Sequence, residues 1–310
     1  VLRVTGRQSL SLRSPVVTLG TFDGVHIGHQ KVLSDLVAWA RTARRDSVVL
    51  TFDQPPRVVV SGQAVPIITP VEKKLSLLEA SGVDAAVVLH FDQELAQMGA
   101  EEFVRSYVVD WLRASGVIVG YYCQFGRGRS GDVRLLASIA KEYGFEFRTS
   151  EPVKVGGYPV SSTTVRGAVL AGDLKLARKL LGRHYSLIGT VIHGDGRGHA
   201  LGFPTANLQP LHTLRPPAGV YAGRAAVRGR CYPALVSIGI RPTFHPSASE
   251  AVTEVYLEGF HDLIYGELLE AEFFRLIRKQ RTFSSRDALV RQMERDREEL
   301  LRELEPGVEQ

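Results

Sequence analysis

The sequence predicts an α/β domain with a parallel sheet, followed by a small antiparallel β-barrel and a C-terminal helix. Three observations predict it. Up to Gly182, short Val-rich apolar runs alternate with amphipathic stretches at helical spacing, the pattern of βαβ units whose strands are covered on both faces. After Gly182 the texture turns to Gly, Pro and β-branched residues, with strand-length runs separated by turns and long connections. From Ser284 the helical period returns. The change of texture sets a boundary between a first domain, residues 1–183, and a second, residues 184–310.

In the first domain the predicted strands are Val16–Gly20, Ser47–Phe52, Asp84–Leu89 and Val117–Gly120, each short and valine-rich. The predicted helices are Gln30–Arg44, Val71–Ser81, Glu101–Ala114 and Val133–Tyr143. A last helical stretch, Ser162–Leu181, carries apolar residues at Val165, Leu170, Leu174, Leu176, Ala177 and Leu180, and Gly182 stops it. In the second domain Ser186–His193, Gly219–Val227, Tyr232–Ile238, Val252–Leu257 and Glu270–Arg275 read as strands. Ser284 or Ser285 caps a final helix running to about Leu304, ahead of Pro306 and Gly307.

The 310 residues are 44% hydrophobic and 23% charged, a globular composition at a length that suits two domains, and wholesale disorder is excluded. A net charge of +5 does not by itself mark a nucleic-acid binder. Residues 1–184 hold 23 basic and 17 acidic side chains, and residues 185–310 hold 15 and 16. By charge alone the first half suits phosphate ligands, or tRNA or DNA, but no aromatic-rich basic stripe accompanies it, and no nucleic-acid partner is expected. Cys123 and Cys231 lie far apart and no CxxC or Cys/His cluster exists, so two buried free thiols are expected rather than a zinc site or a disulfide scaffold. No apolar run approaches the roughly 18–20 residues that cross a bilayer. Val1–Pro15 carries three arginines and no apolar core of a signal peptide. A soluble, cytoplasmic protein without a membrane partner is expected.

The most informative segment, Gly20-Thr21-Phe22-Asp23-Gly24-Val25-His26-Ile27-Gly28-His29, follows the first predicted strand and opens the first long helix. Free N–H groups and the positive dipole at a helix start favour phosphate, imidazoles donate to its oxygens, and Gly24 and Gly28 let the backbone come close. The bland alternative is a glycine turn with two surface histidines. A second glycine pattern, Gly126-Arg127-Gly128-Arg129-Ser130-Gly131, is a formal GxGxxG with Glu151 downstream. It follows the fourth predicted strand rather than the first, and two arginines crowd it, which argues against a dinucleotide-binding turn.

GTFDGVHIGH resembles the HxGH signature of nucleotidylyltransferases, specifically the flavin adenylyltransferase half of bacterial bifunctional riboflavin kinase/FAD synthetases. Class I aminoacyl-tRNA synthetases share an HIGH motif, but their KMSKS partner is absent. Ser161-Ser162-Thr163-Thr164-Val165-Arg166 is similar to the second nucleotidylyltransferase motif. Gly189–Gly198 leading into Leu201-Gly202-Phe203-Pro204-Thr205-Ala206-Asn207-Leu208 resembles the riboflavin kinase signature, and Gly219–Gly223, Ile238–Phe244 and Thr253–Leu257 follow in the family's order. The resemblance covers about residues 15–304.

The resemblance implies a Rossmann-like nucleotidylyltransferase domain followed by a riboflavin kinase barrel, with riboflavin, FMN, FAD and ATP as partners, ATP as co-substrate and Mg²⁺ as cofactor. It implies Glu254 as the base for the ribityl hydroxyl, and Thr205 and Asn207 as hard oxygen ligands near Mg²⁺. His26, His29 and Arg166 would act on the phosphates in FMN adenylylation. ATP contacts fall on Gly20, Phe22, Gly28, Ser162, Thr163, Gly194, Gly202 and Pro204, and flavin contacts on Tyr122, Phe125, Arg127 and Arg241. The pattern departs at four places. Tyr122 stands where the family has Asp or Asn, Cys123 replaces an aromatic, Thr51–Pro56 lacks the His that commonly precedes the last proline, and Ser237 replaces an Asn. Tyr122 prompts the alternative of an active kinase whose first domain binds nucleotide or flavin without making FAD.

Overall fold

Six strands, all paired in parallel, form the sheet of the first half: β1 (Leu2–Thr5), β2 (Val16–Leu19), β3 (Ser47–Phe52), β4 (Ala85–Leu89), β5 (Gly116–Gly120) and β6 (Glu146–Ser150), in spatial order β1-β4-β3-β2-β5-β6. The computed structural model describes residues 2–8, 10–62, 65–194, 198, 201–241 and 250–303. Contacts divide the chain into two units, Val1–Thr164 and Val165–Gln310. From β2 the chain winds outward through β3 to β4, then returns to lay β5 on the other side of β2. The order therefore reverses between β2 and β5, and ligands of open parallel sheets bind outside the carboxyl ends of the strands at such a reversal.

The helices of this half are α1 (Ile27–Ala43), α2 (Pro56–Ser61), α3 (Val71–Ala80), α4 (Gln93–Gln97), α5 (Ala100–Phe103) and α6 (Val133–Tyr143). On one face of the sheet Val17, Leu19, Leu50, Val87 and Val119 pack with Phe103, Leu136 and Ile139. On the other, Val16, Val49, Ala86 and Ile118 pack with Leu33, Leu36 and Leu78. Both faces are buried, which is why the strands read as continuous apolar runs rather than alternating ones. The edge strands β1 and β6 were not expected: LRVT and EFRTS are mostly exposed, so hydropathy does not mark them. The stretch expected as Glu101–Ala114 is one α-helical turn continued as a π-helix over Val104–Trp111. A two-stranded ribbon, β7 (Lys154–Val155) and β8 (Tyr158–Pro159), turns through Gly156 and Gly157, both at positive φ.

The single helix expected over Ser162–Leu181 is two, α7 (Ser162–Ala171) and α8 (Leu174–Leu181). Gly172 at φ +76° breaks it, and the Asp173 carboxylate caps α8 by accepting the Leu176 N–H at 2.9 Å. Leu170, expected on the apolar side, is exposed. The expected boundary at 183/184 follows α8, whereas contacts group α8 with the barrel, where it packs on β9 (Tyr185–Ile192) and β14 (Leu268–Lys279).

The barrel comprises β9, β10 (Thr205–Pro210), β11 (Gly219–Val227), β12 (Arg230–Arg241), β13 (Glu250–Leu257) and β14, closed and antiparallel in the order β10-β13-β12-β11-β14-β9. β10 was not expected as a strand. The C-terminal helix, Arg286–Glu303, starts after Ser285, whose Oγ accepts the Ala288 N–H. Arg278 of β14 grips the buried Asp296 carboxylate of this helix with Nε and a terminal nitrogen at 2.8–3.1 Å. Both cysteines are free, but Cys231 is exposed, contrary to expectation, because β12 turns that side chain outward; Cys123 is half-buried.

Candidate active sites

The turn from β2 into α1 carries both histidines of the first motif. His26 is the N-cap of α1, and its Nδ1 accepts the His29 N–H at 3.2 Å, so the neutral His26 ring carries its proton on Nε2. The two imidazoles stack with centroids 3.6 Å apart, and Phe22 lies tilted against His29 at 5.0 Å. Burial holds the His29 pKa well below its ordinary value, with the charges of His26 and Lys74 pushing the same way. His29 Nδ1 is buried without a hydrogen-bond partner, a donor–acceptor position that a bound ligand would satisfy.

The turn is held from below. Asp23 accepts the N–H groups of Ile68 and Thr69 at 2.9 and 3.2 Å, and Thr69 Oγ1 accepts the Gly24 N–H. Gly24 has φ +87° with Ile68 against it. Phe22 and Val25 also sit at positive φ, 49° and 37°; such backbone costs on the order of 1–3 kcal/mol per residue and clusters at functional sites. Gly20 forms the close approach beneath the Phe22 ring.

The second motif meets the first. Ser162 Oγ donates to the Asp23 carbonyl at 2.9 Å, and Val160 O lies against Gly28. Ser161 caps α7 through the Thr164 N–H, and Thr163 is exposed in the first turn. Arg166 is half-buried one turn further along α7, in the part of the helix that groups with the barrel. At the end of β5, Tyr121 and Tyr122 stand exposed in a perpendicular pair with centroids 5.1 Å apart. Tyr122 is 62% exposed, so its phenol stands out from the sheet end rather than plugging it. Phe125 packs into the core and Arg127 is exposed on a short 3₁₀ turn. Two of the GxGxxG glycines have a packing role: a Cβ on Gly126 or Gly131 would strike Ala100 or Phe125, while Gly128 sits in open space at φ +62°.

In the barrel, Gly194, Pro204, Thr205, Asn207 and Glu254 line one cavity of about 750 Å³. The sheet register explains the convergence. Asn207 of β10 lies opposite Glu254 of β13, which lies opposite Ser237 of β12, so three polar side chains share one level of adjacent strands. A Cβ on Gly194 would overlap the Asn207 amide, and one on Gly198 would stand 2.9 Å from Thr205 Oγ1. Thr205 and Asn207 thus offer neutral oxygens beside close backbone, a donor set that fits Mg²⁺ shared with substrate phosphates. Among the described residues no group of three or more His, Cys, Asp or Glu is placed to hold a metal. Gly202, at φ +80°, turns the chain into β10. The Arg241 side chain lies outside the described residues.

Sequence reasoning passed over several residues at or beside the two candidate sites. Beside the first is Lys74, which donates to Thr21 O; it lies on the stripe of α3 shared with Val71 and Leu78, a lysine at a core spacing, which is the signal that marks it. In the barrel, Arg278, Arg281 and Phe283 form part of the cavity wall, with Arg281 over the Phe283 ring at 4.8 Å, and Leu289 and Met293 of the C-terminal helix complete it. Nothing local in the sequence connects these to Glu254.

The FAD synthetase family model matches residues 9–164, and the riboflavin kinase model matches residues 181–304. A bifunctional riboflavin kinase/FMN adenylyltransferase of Listeria monocytogenes is 36% identical over 92% of this chain and 90% of its own, and one of Escherichia coli is 35% identical over 91% and 90%. A crystal structure from Streptococcus pneumoniae described as a macrolide-efflux protein superposes with a TM-score of 0.85 at 30% identity, covering 96% of this chain and 98% of that one. Among the described residues no helix is long and apolar enough to cross a membrane. Two family models in tandem, and relatives aligned over nine-tenths of their length, agree with the two sites: this chain belongs to the bifunctional riboflavin kinase/FMN adenylyltransferase family.

Proposed function

We propose that the chain makes both flavin cofactors, phosphorylating riboflavin to FMN and adenylylating FMN to FAD, each with ATP. In the barrel, Glu254 accepts the proton of the ribityl 5′-hydroxyl as that oxygen attacks the γ-phosphorus of ATP, leaving FMN and ADP. Thr205 and Asn207 would hold Mg²⁺, which when bound neutralises charge on the ATP phosphates. Their placement, with Gly194 and Gly198 packed against them, orients the polyphosphate toward Glu254. Pro204 and Gly202 shape the entry to that strand. In the first half, a phosphate oxygen of FMN attacks the α-phosphorus of ATP, and pyrophosphate leaves. Neutral His29 and the Nε2–H of His26 donate hydrogen bonds to the phosphates at the start of α1, where the helix dipole also favours the anion. Arg166 is proposed to hold the triphosphate, with Ser162 and Thr163 at the start of its helix. Tyr122, Arg127 and Arg241 are proposed flavin contacts, with the functional boundary at 183/184. A cytoplasmic location is proposed with this biosynthetic role.

The register that sets Asn207, Glu254 and Ser237 at one level of a single cavity carries the kinase assignment. The stacked His26–His29 pair beside the strand reversal carries the adenylyl-transfer assignment. The test is to incubate the protein with riboflavin and ATP–Mg²⁺, and separately with FMN and ATP–Mg²⁺, and to resolve riboflavin, FMN and FAD chromatographically. FMN in the first reaction and FAD in the second are expected. FMN without FAD would reduce the first half to a binding domain, and neither product from folded protein would overturn the assignment.

A further inference from the structure

Lys74 is 6% exposed, yet no step above uses it. Its Nζ sits under the carboxyl ends of β2 and β3 and donates to Thr21 O at 3.2 Å, Thr51 Oγ1 at 3.2 Å and Phe52 O at 2.5 Å. Three acceptors match the three protons of an ammonium, so Lys74 has none to offer a ligand. Burying an ammonium among mostly neutral acceptors is costly, and a hydrophobic residue would fill the core position of α3 without that cost. The Thr51 hydroxyl already donates to Thr21 O at 3.2 Å, and the ammonium braces that link by binding Thr21 O, Thr51 Oγ1 and Phe52 O at once. Thr21 starts the loop that carries Phe22, His26 and His29; Thr51 and Phe52 end the neighbouring strand.

We infer that Lys74 is a positioning residue of the adenylyl-transfer site, its ammonium fixing the start of the Thr21–His29 loop to the end of β3. The inference rests on the adenylyl-transfer reading of that loop. The same cation also faces His29 electrostatically. The titratable groups around Lys74 are the carboxylates of Asp23 and Asp53 and the neutral imidazole of His29, and Asp53 is itself paired with His90 at 2.6 Å. The charge facing His29 comes from His26 and Lys74. Burial draws the Lys74 pKa down to about 8, so the tie is charged at neutral pH and loses its proton as the pH rises through that value. With Lys74 charged, His29 resists protonation and its ring stays a neutral donor.

The test is FMN adenylylation across acidic to alkaline pH in wild type, Lys74→Met and Lys74→Arg, with riboflavin phosphorylation by the same preparations as the internal control. For Lys74→Met we expect kcat for FAD formation to fall about 10- to 100-fold, as displaced catalytic groups do, and its acid limb to move to higher pH because His29 loses an adjacent cation. Phosphorylation of riboflavin should stay within about twofold of wild type. Wild type should lose adenylylation above a pH of about 8. Lys74→Arg should show no such alkaline limb, because a guanidinium stays charged. Should Lys74→Met fail to fold, Lys74→Arg carries the test. Full adenylylation by Lys74→Met, a lowered rate with an unmoved acid limb, or an unchanged alkaline limb in Lys74→Arg would each overturn the inference. A wild type that makes FMN but no FAD would overturn the reading beneath it, and the wild-type arm alone shows that.

Discussion

In the proposed assignment Glu254 and His29 divide the two activities at the level of single side chains. Glu254→Gln keeps the shape and the hydrogen-bonding reach of the carboxylate and removes its basicity. Riboflavin phosphorylation should fall by about 10²- to 10⁴-fold, the usual worth of a positioned base, while FAD formation from supplied FMN persists. A steady-state comparison of the two reactions checks it, and equal losses would move Glu254 from the chemistry to the fold. Residues of this kind were legible because short motifs carry them: the histidines in HIGH, Thr205 and Asn207 in GFPTAN. Lys74 was not, because its partners Thr21, Thr51 and Phe52 lie more than a helix away in sequence. Phe125 shows the opposite limit, since a residue singled out for flavin packs into the core. His212 adds a residue-scale dependence on pH. Burial pulls its pKa down to about 4, and its Nε2 lies 3.2 Å from the Tyr185 hydroxyl. A pKa lower in the folded than in the unfolded chain means that the unfolded chain takes up the extra proton first. This contribution to barrel stability is complete above an unfolded value of about 6.5 and is lost as the pH falls toward about 4, up to about 3 kcal/mol. His212→Gln should flatten that limb in thermal melts of the kinase half.

At the scale of elements, β10 is the instructive miss. Its segment reads as turn chemistry, with Gly202 and Pro204 before it, so the glycines and the proline hide a strand whose pairing with β9 and β13 is what brings Asn207 to Glu254. Gly194 looks like a loop residue but is there because the Asn207 amide presses on it. Gly194→Ala should therefore act on the kinase alone: its Cβ displaces the Asn207 amide, and riboflavin phosphorylation should fall about tenfold or more. Adenylylation and the melting temperature should hardly change, because Gly194 is exposed. Kinase activity equal to wild type would show that the Asn207 position is not critical. The break between α7 and α8 was hidden for a different reason. One apolar period runs on through Gly172, and only the Asp173 cap and a positive φ reveal two helices.

For the whole molecule, the two-part architecture was legible because parallel and antiparallel sheets leave different textures: continuous Val-rich runs where both faces are covered, and Gly/Pro-punctuated strands where a barrel closes. Strand order was not legible, since the reversal between β2 and β5 is a fact of winding that no local pattern records. The boundary falls between these cases. Texture changes at Gly182, yet α8 buries Leu174, Ala177, Leu180 and Leu181 and packs on β9 and β14. Burying a leucine is worth about 1.5–3 kcal/mol, so a barrel fragment begun at residue 184 forfeits several kcal/mol that one begun at residue 165 keeps. In a domain of this size each kcal/mol moves the melting temperature by roughly 2–8 °C. The fragment 165–310 should therefore melt at least about 10 °C above 184–310, with riboflavin kinase activity surviving heating in the same order. Equal melting temperatures would mean that α8 belongs functionally with the sheet and that the change of texture at Gly182 marks the true edge of the kinase.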